Sequence, residues 1–295
     1  MKVCTLLQDP PAGGGWNMAV DEALLEGIGE FGPTLRLYRW SPATLSLGYF
    51  QVLEDRRLHP PSLSCPVVRR PTGGGAILHD AELTYALVLP AEDMWTRSRE
   101  KLYFAVHRAI ATALRYWAVD AIVYNPAELP CIFAARGFAG SGHGQVGRPE
   151  AIGGWQPDLD SAKIGCTAAG EESANQPFMC FARRSCGDLL VGSEKIAGSA
   201  QRRTKAGILQ HGSILLARSP FAPEFPGLAE LLGRPIGLDE FADAFVAAIE
   251  EELKCRMVPG SLPSKVLARA QELLSSKYGH PLWTGRSFSP PPKRA

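Results

Sequence analysis

Three successive glycines at positions 73–75, set between two apolar segments, constrain this chain more than any other feature. In the run Arg69-Arg-Pro-Thr-Gly-Gly-Gly-Ala-Ile-Leu-His-Asp80 each glycine gives up more backbone entropy on folding than any other residue and brings no side chain to pack. A plain hairpin seldom uses three, so the run predicts a loop whose backbone something approaches closely. Arg69 and Arg70 before it, and His79 and Asp80 after it, would flank a polar or anionic group held there. Spacing alone leaves a second reading open, a long hairpin with a flexible tip.

The surrounding pattern is that of a mixed α and β protein. A first helix is predicted from Asn17, as N-cap, through Leu25. Alternating segments predict strands at Thr34–Trp40, Thr44–Phe50, Val67–Arg70 and Glu82–Leu89, the last two paired through the glycine loop. Tyr103, Val106, Ile110, Ala113, Leu114 and Trp117 recur at helical spacing. Strands are expected again at Gly187–Val191 and Ile208–Leu216, and helices at Leu238–Leu253 and Pro263–Tyr278. Residues 131–175 hold nine of the thirty glycines without a sustained period and read as a loop or insertion. Gly142-His-Gly-Gln-Val-Gly147 there fits a dinucleotide fingerprint, but no strand precedes it and no apolar helix follows, so it reads as loop.

Composition excludes several classes of function. The 31 cations and 30 anions leave a net charge of +1, so nothing global points to a nucleic-acid or membrane partner. No run of apolar residues is long enough for a membrane span or a signal peptide. Seven scattered cysteines with no C-x-x-C pair suggest neither a disulfide framework nor a zinc site, and a reducing cytoplasm is the expected compartment.

Charge is uneven locally. From Phe181 to Lys205 six cations face two anions, a local excess of +4. Cys180 adjoins this stretch, and a cysteine facing cations has the stabilised thiolate that a nucleophile needs, although a buried small hydrophobe is the ordinary reading of a cysteine between aromatics. Lys195 opens a run of small residues, Ala197, Gly198, Ser199 and Ala200, which would leave its ammonium free to meet a ligand; alone it reads as a surface lysine. His211 reads either as a general base or as a polar strand end.

With these segments in order, the chain resembles the lipoate-protein ligase and octanoyltransferase family of the biotin/lipoate protein ligase superfamily. The resemblance rests on Asn17–Leu25, Leu35–Gln51, Arg69–Asp80, Lys195–Gln201 and Gln210–Leu216, with Lys277–Trp283 as a closing element. It implies an α+β fold, a biotinyl/lipoyl protein ligase-like catalytic domain of mixed β-sheets and flanking helices, over residues 1–285. A glycine-rich insertion at 131–175 and a proline-rich tail at 286–295 complete the expected organisation.

One branch of such octanoyltransferases carries its cysteine three residues before the His-Gly of the last block, where this chain has Ile208. Another places a Cys-Phe pair ahead of the lysine block, as Cys180-Phe181 lies 15 residues ahead of Lys195. The resemblance therefore implies Cys180 and Lys195 as catalytic residues, with Cys186 as a rival nucleophile. Arg70, Gly73, Gly74, Gly75, His79, Gly198, Ser199 and His211 are the implied substrate-binding residues. The implied activity moves an octanoyl group from acyl carrier protein through a cysteine thioester to a lysine of a lipoyl domain or glycine-cleavage H protein. A thioester is already activated, so no nucleotide or other cofactor is implied. ATP-dependent lipoate ligation, octanoyl transfer between lipoyl proteins and non-catalytic binding of lipoyl domains are the alternatives.

Overall fold

The structure, a computed structural model, describes residues 2–125 and 177–286. The expected insertion at 131–175, the Gly142–Gly147 motif and residues 287–295 of the tail lie outside the described residues.

Eleven described strands form two sheets. They are β1 (Lys2–Gln8), β2 (Thr34–Tyr38), β3 (Thr44–Leu47), β4 (Val67–Arg69), β5 (Ile77–His79), β6 (Glu82–Pro90), β7 (Ala121–Val123), β8 (Leu189–Val191), β9 (Glu194–Arg203), β10 (Gly207–Leu215) and β11 (Cys255–Pro259). Eight of them make a large sheet in the order β11-β1-β2-β6-β10-β9-β8-β7. Within it β1 runs parallel to both β11 and β2, and every other pairing is antiparallel. The small sheet has the order β4-β3-β5, with β3 parallel to β4 and antiparallel to β5.

The helices are α1 (Gly14–Glu26), α2 (Ile28–Phe31), α3 (Arg99–Leu114), α4 (Leu228–Leu232), α5 (Leu238–Leu253), α6 (Ser264–Leu273) and α7 (Pro281–Thr284). Strand alternation divides the core between them. Leu83, Tyr85, Leu87 and Leu89 of β6 face the cluster built by α3 and α5. Ala86 and Val88, on the opposite face, meet α1 and α6. No helix among the described residues is long and apolar enough to cross a membrane.

Three expectations change. Asn17 is not the N-cap of α1, which begins at Gly14; it is fully buried in the helix, where its amide donates to the Ala12 and Arg39 carbonyls. The strands flanking the glycine loop do not pair, because β4 belongs to the small sheet and β6 to the large one, with β5 between them. Lys195–Ala200, expected only as a run of small residues that leaves the lysine head free, is part of β9, held by β8 on one side and β10 on the other. Nothing in the sequence pattern had marked β1, β7 or β11.

Candidate active site

The glycine loop meets the Cys180 segment directly. Ala76 N donates to Phe178 O at 2.9 Å and Cys180 N to Ala76 O at 2.7 Å, so residues 178–180 ride alongside the loop as an extra strand segment. A Cβ on Gly75 would stand 2.9 Å from Cys180 N and 3.0 Å from its Cα, so the glycine is required by a close approach. Gly74 has φ +92°, a left-handed conformation that favours glycine. The close partner expected of this loop is thus the chain's own backbone on one side, while Gly73 and Gly74 line a cavity on the other.

Cys180 opens a single 3₁₀ turn, Cys180–Ala182, at that cavity. Lys195 Nζ lies 3.7 Å from Cys180 Sγ and 3.2 Å from Cys180 O. The lysine is not the exposed head that its small neighbours suggested: it is buried and ion-paired with Asp188 at 2.7 Å. Gly198 makes room for it, since a Cβ there would lie 2.8 Å from Lys195 Cε. Burial acts to lower the Lys195 pKa, but the Cys180 sulfur and the Asp188 carboxylate outweigh it and hold the ammonium above its ordinary value.

The cavity has apolar walls from Met18, Tyr38, Trp40 and Ile77. Arg70, His79, Ser199 and His211 also line it, so every implied binding residue except Gly75 borders it directly. Arg70 is a buried cation with no carboxylate ion-paired to it among the described residues. Its guanidinium donates to Ser46 O and Oγ at 2.9 and 2.6 Å and to the carbonyls of Gly73 and Gly75 at 3.1 and 2.8 Å. Burial pulls its pKa down to about 10.

Both cavity histidines have each ring nitrogen engaged. His79 Nε2 meets Ser46 Oγ at 2.6 Å and Nδ1 meets Glu82, while Trp40 stacks on the ring at 3.8 Å. Arg70, Ser46, His79 and Glu82 therefore form one hydrogen-bonded chain linking a buried cation to a buried carboxylate. His211 Nδ1 lies 3.0 Å from Asp21 Oδ2 and its Nε2 2.6 Å from Thr72 Oγ1.

Other expected residues fall away from the site. Arg69 turns in the opposite direction and donates to the carbonyls of Gly48, Tyr49, Gln51, Trp283 and Thr284. Asp80 accepts from Ser219 Oγ instead of flanking a ligand. Cys186 is exposed, 3.9 Å from Asn125 Oδ1, and does not line the cavity. Asp188 and Tyr103 belong to the site unforeseen. The clue available was positional: Asp188 precedes a short strand that turns back into the lysine strand, yet in a basic segment it counted only as an opposing charge.

The match to known proteins follows this geometry. The family model of the lipoyl protein ligase A/B catalytic domain matches residues 14–146. A lipoate protein ligase of T. acidophilum solved with bound lipoic acid superposes with TM-score 0.67 at 21% identity, covering 97% of this chain and 99% of that one. A second structure, described as a bi-partite lipoate protein ligase and its E2 lipoyl domain from Thermoplasma acidophilum, gives TM-score 0.66 at 19% identity over 97% of each chain. These define the class by fold, a lipoyl ligase-type catalytic domain of mixed sheets and flanking helices. The octanoyltransferase LipM of Symbiobacterium thermophilum is 34% identical over 92% of this chain and 93% of its own. The chain belongs to this octanoyltransferase family, and it is an acyltransferase of protein lipoylation.

Proposed function

We propose that the octanoyl group travels from acyl carrier protein to Cys180 as a thioester, and from there to a lysine of a lipoyl domain or glycine-cleavage H protein. The observation that carries this reading is the 3.7 Å approach of Cys180 Sγ to the buried Lys195 ammonium at the edge of the cavity. A cation at that distance faces the sulfur that attacks and the negative charge developing on the carbonyl oxygen. In the first half-reaction the Cys180 S–C bond forms, the donor C–S bond breaks and the departing thiolate takes a proton from solvent. In the second, the acceptor amine forms the C–N bond and Cys180 leaves with the electron pair. The acyl chain lies in the cavity beneath the glycine loop, and Arg70, His79, Ser199 and His211 shape its walls.

The lipoyl domain is the natural acceptor given the relationship to octanoyltransferases of lipoylation. An acidic carrier as donor suits the charge of the 181–205 segment, although Lys195 is internal, leaving Arg183, Arg184, Arg202, Arg203 and Lys205 for the surface. We also take residues 1–285 as one catalytic domain, since β1 and β11 pair across nearly its whole length. A cytoplasmic setting fits the buried thiols of Cys4, Cys65 and Cys255.

Incubation of the purified protein with octanoyl-acyl carrier protein, without ATP, tests the reading by intact mass. One octanoyl adduct is expected, and Cys180→Ala is expected to abolish it while Cys186→Ala leaves it. An adduct retained in Cys180→Ala, or an adenylate formed from free octanoate and ATP with no adduct, would overturn it.

A further inference from the structure

Asp188 is the residue outside the implied catalytic pair that touches it most directly. Its Oδ2 lies 2.7 Å from Lys195 Nζ and accepts the Ser185 N–H at 2.7 Å. Its Oδ1 accepts the Tyr103 hydroxyl at 3.0 Å, and that hydroxyl accepts the Ser199 N–H at 3.0 Å. The carboxylate side chain is 1% exposed and the lysine side chain 3%. Both oxygens are thus occupied by donors from three different segments, which fixes the carboxylate and, through it, the ammonium.

The groups facing Lys195 come from every neighbouring element. The 3₁₀ turn supplies Cys180 and the Phe181 ring, the latter 5.6 Å away; α3 supplies Tyr103 and His107; the segment before β8 supplies Asp188. Burial pulls the His107 pKa down to about 3, so that neighbour is uncharged near neutral pH. Arg70, the second cation of the cavity, is held by Ser46, Gly73 and Gly75. Asp188 is the only carboxylate among the described residues ion-paired with Lys195.

We propose that Asp188 is a positioning residue that keeps Lys195 at Cys180 as a fixed ammonium, so that Lys195 acts in the transfer by its charge and takes no proton from the acceptor amine. This rests on the reading of Cys180 as the acylated nucleophile. The acceptor lysine loses a proton to solvent before attack. As the C–N bond forms and the C–S bond breaks, the electron pair returns to sulfur opposite the Lys195 ammonium, and the second proton on nitrogen also passes to solvent. Atoms and charge balance without a protein base.

The sign of the pH effect follows from the causes acting on Lys195. Desolvation lowers its pKa, and Cys180 and Asp188 raise it. Without Asp188 the desolvation is less opposed, the pKa falls, and the ammonium is lost as pH rises through the lower value. An opposite charge at contact distance is worth about 1–3 units.

Single-turnover octanoyl loading from octanoyl-acyl carrier protein, measured by intact mass from pH 6 to pH 10, tests this on the full chain. Wild type must first load, and Cys180→Ala must not; failure here defeats the underlying reading. Given loading, Asp188→Asn is expected to move the alkaline fall in rate down by about 1–3 pH units. An unshifted limb, whether the rate is unchanged or reduced equally at every pH, overturns the proposal. If Asp188→Asn does not fold, Tyr103→Phe decides: a smaller shift in the same direction supports the proposal, and a pH profile that superimposes on wild type overturns it.

Discussion

At the scale of single residues, the site depends on a few places where no extra atom fits. Gly75 is the sharpest case, because the atoms its Cβ would meet belong to the Cys180 and Phe178 backbones and not to a side chain that could swing away. Gly75→Ala is therefore expected to displace Cys180, the proposed nucleophile, and slow octanoyl loading by about 10–100-fold, the scale on which misplacement of reacting groups is felt. Single-turnover kinetics beside a urea unfolding curve would separate that loss from a general loss of stability. Arg69 and Arg70 make the complementary point. Adjacent residues of an extended chain face opposite ways, so one lines the cavity and the other grips distant carbonyls. The sequence spacing showed two arginines before the loop, and strand geometry determined that only one could reach the cavity. Asp188 was hidden for a different reason: a lone acid in a basic stretch has no periodic signature, and its role emerges only when β8 and β9 bring it against Lys195.

At the scale of elements, the cavity is laid across the strands. From Gly198 on β9 it passes Ser213 and His211 on β10 and Thr84 on β6 to Tyr38 on β2, with Met18 of α1 at that side. Three steps of about 4.8 Å between strands separate Gly198, beside Lys195, from Tyr38, and Met18 is an apolar side chain on the same lining as Cys180. Met18→Ala is expected to raise loading of decanoyl and dodecanoyl donors relative to octanoyl, measured as competing adduct masses in one mixture. Equal selectivity in the variant and wild type would place the end of the cavity elsewhere. Much of this layout was legible: β2, β6 and β10 are apolar because both their faces meet a core, and the periodicity of α3 and α5 is strong because each has one face against a core. β9 was not, since Ala197, Gly198, Ser199 and Ala200 have weak strand preference and are extended because both neighbours supply ladder bonds. β11 was missed because its partner β1 lies some 250 residues away in the chain, a distance at which no local pattern signals.

At the scale of the whole molecule, the back of the glycine loop is fastened by the last described helix. Arg69 donates to Trp283 O and Thr284 O as well as to three carbonyls of residues 48–51, and Trp283 Nε1 returns a bond to Arg69 O at 3.0 Å. Lys277 and Tyr278 both bond the Glu22 carboxylate of α1, drawing the same terminal segment across the first helix. Arg69→Ala takes the guanidinium donor from five carbonyls at once, that of Gly48 buried and the rest partly so, and is expected to cost about 3 kcal/mol, read from urea unfolding midpoints at constant slope. A change below about 1 kcal/mol would mean that water replaces the guanidinium without penalty.

The Arg69 clasp also sets an order in time. A chain emerging from the ribosome exposes the glycine loop first, the Cys180 turn and Lys195 next, and the residues that lock the loop from behind about a hundred residues after Cys180. The thiol proposed to carry the acyl group is thus translated well before its setting is secured, and a chain ended before residue 283 is expected to hold that cysteine without the surroundings that fix it.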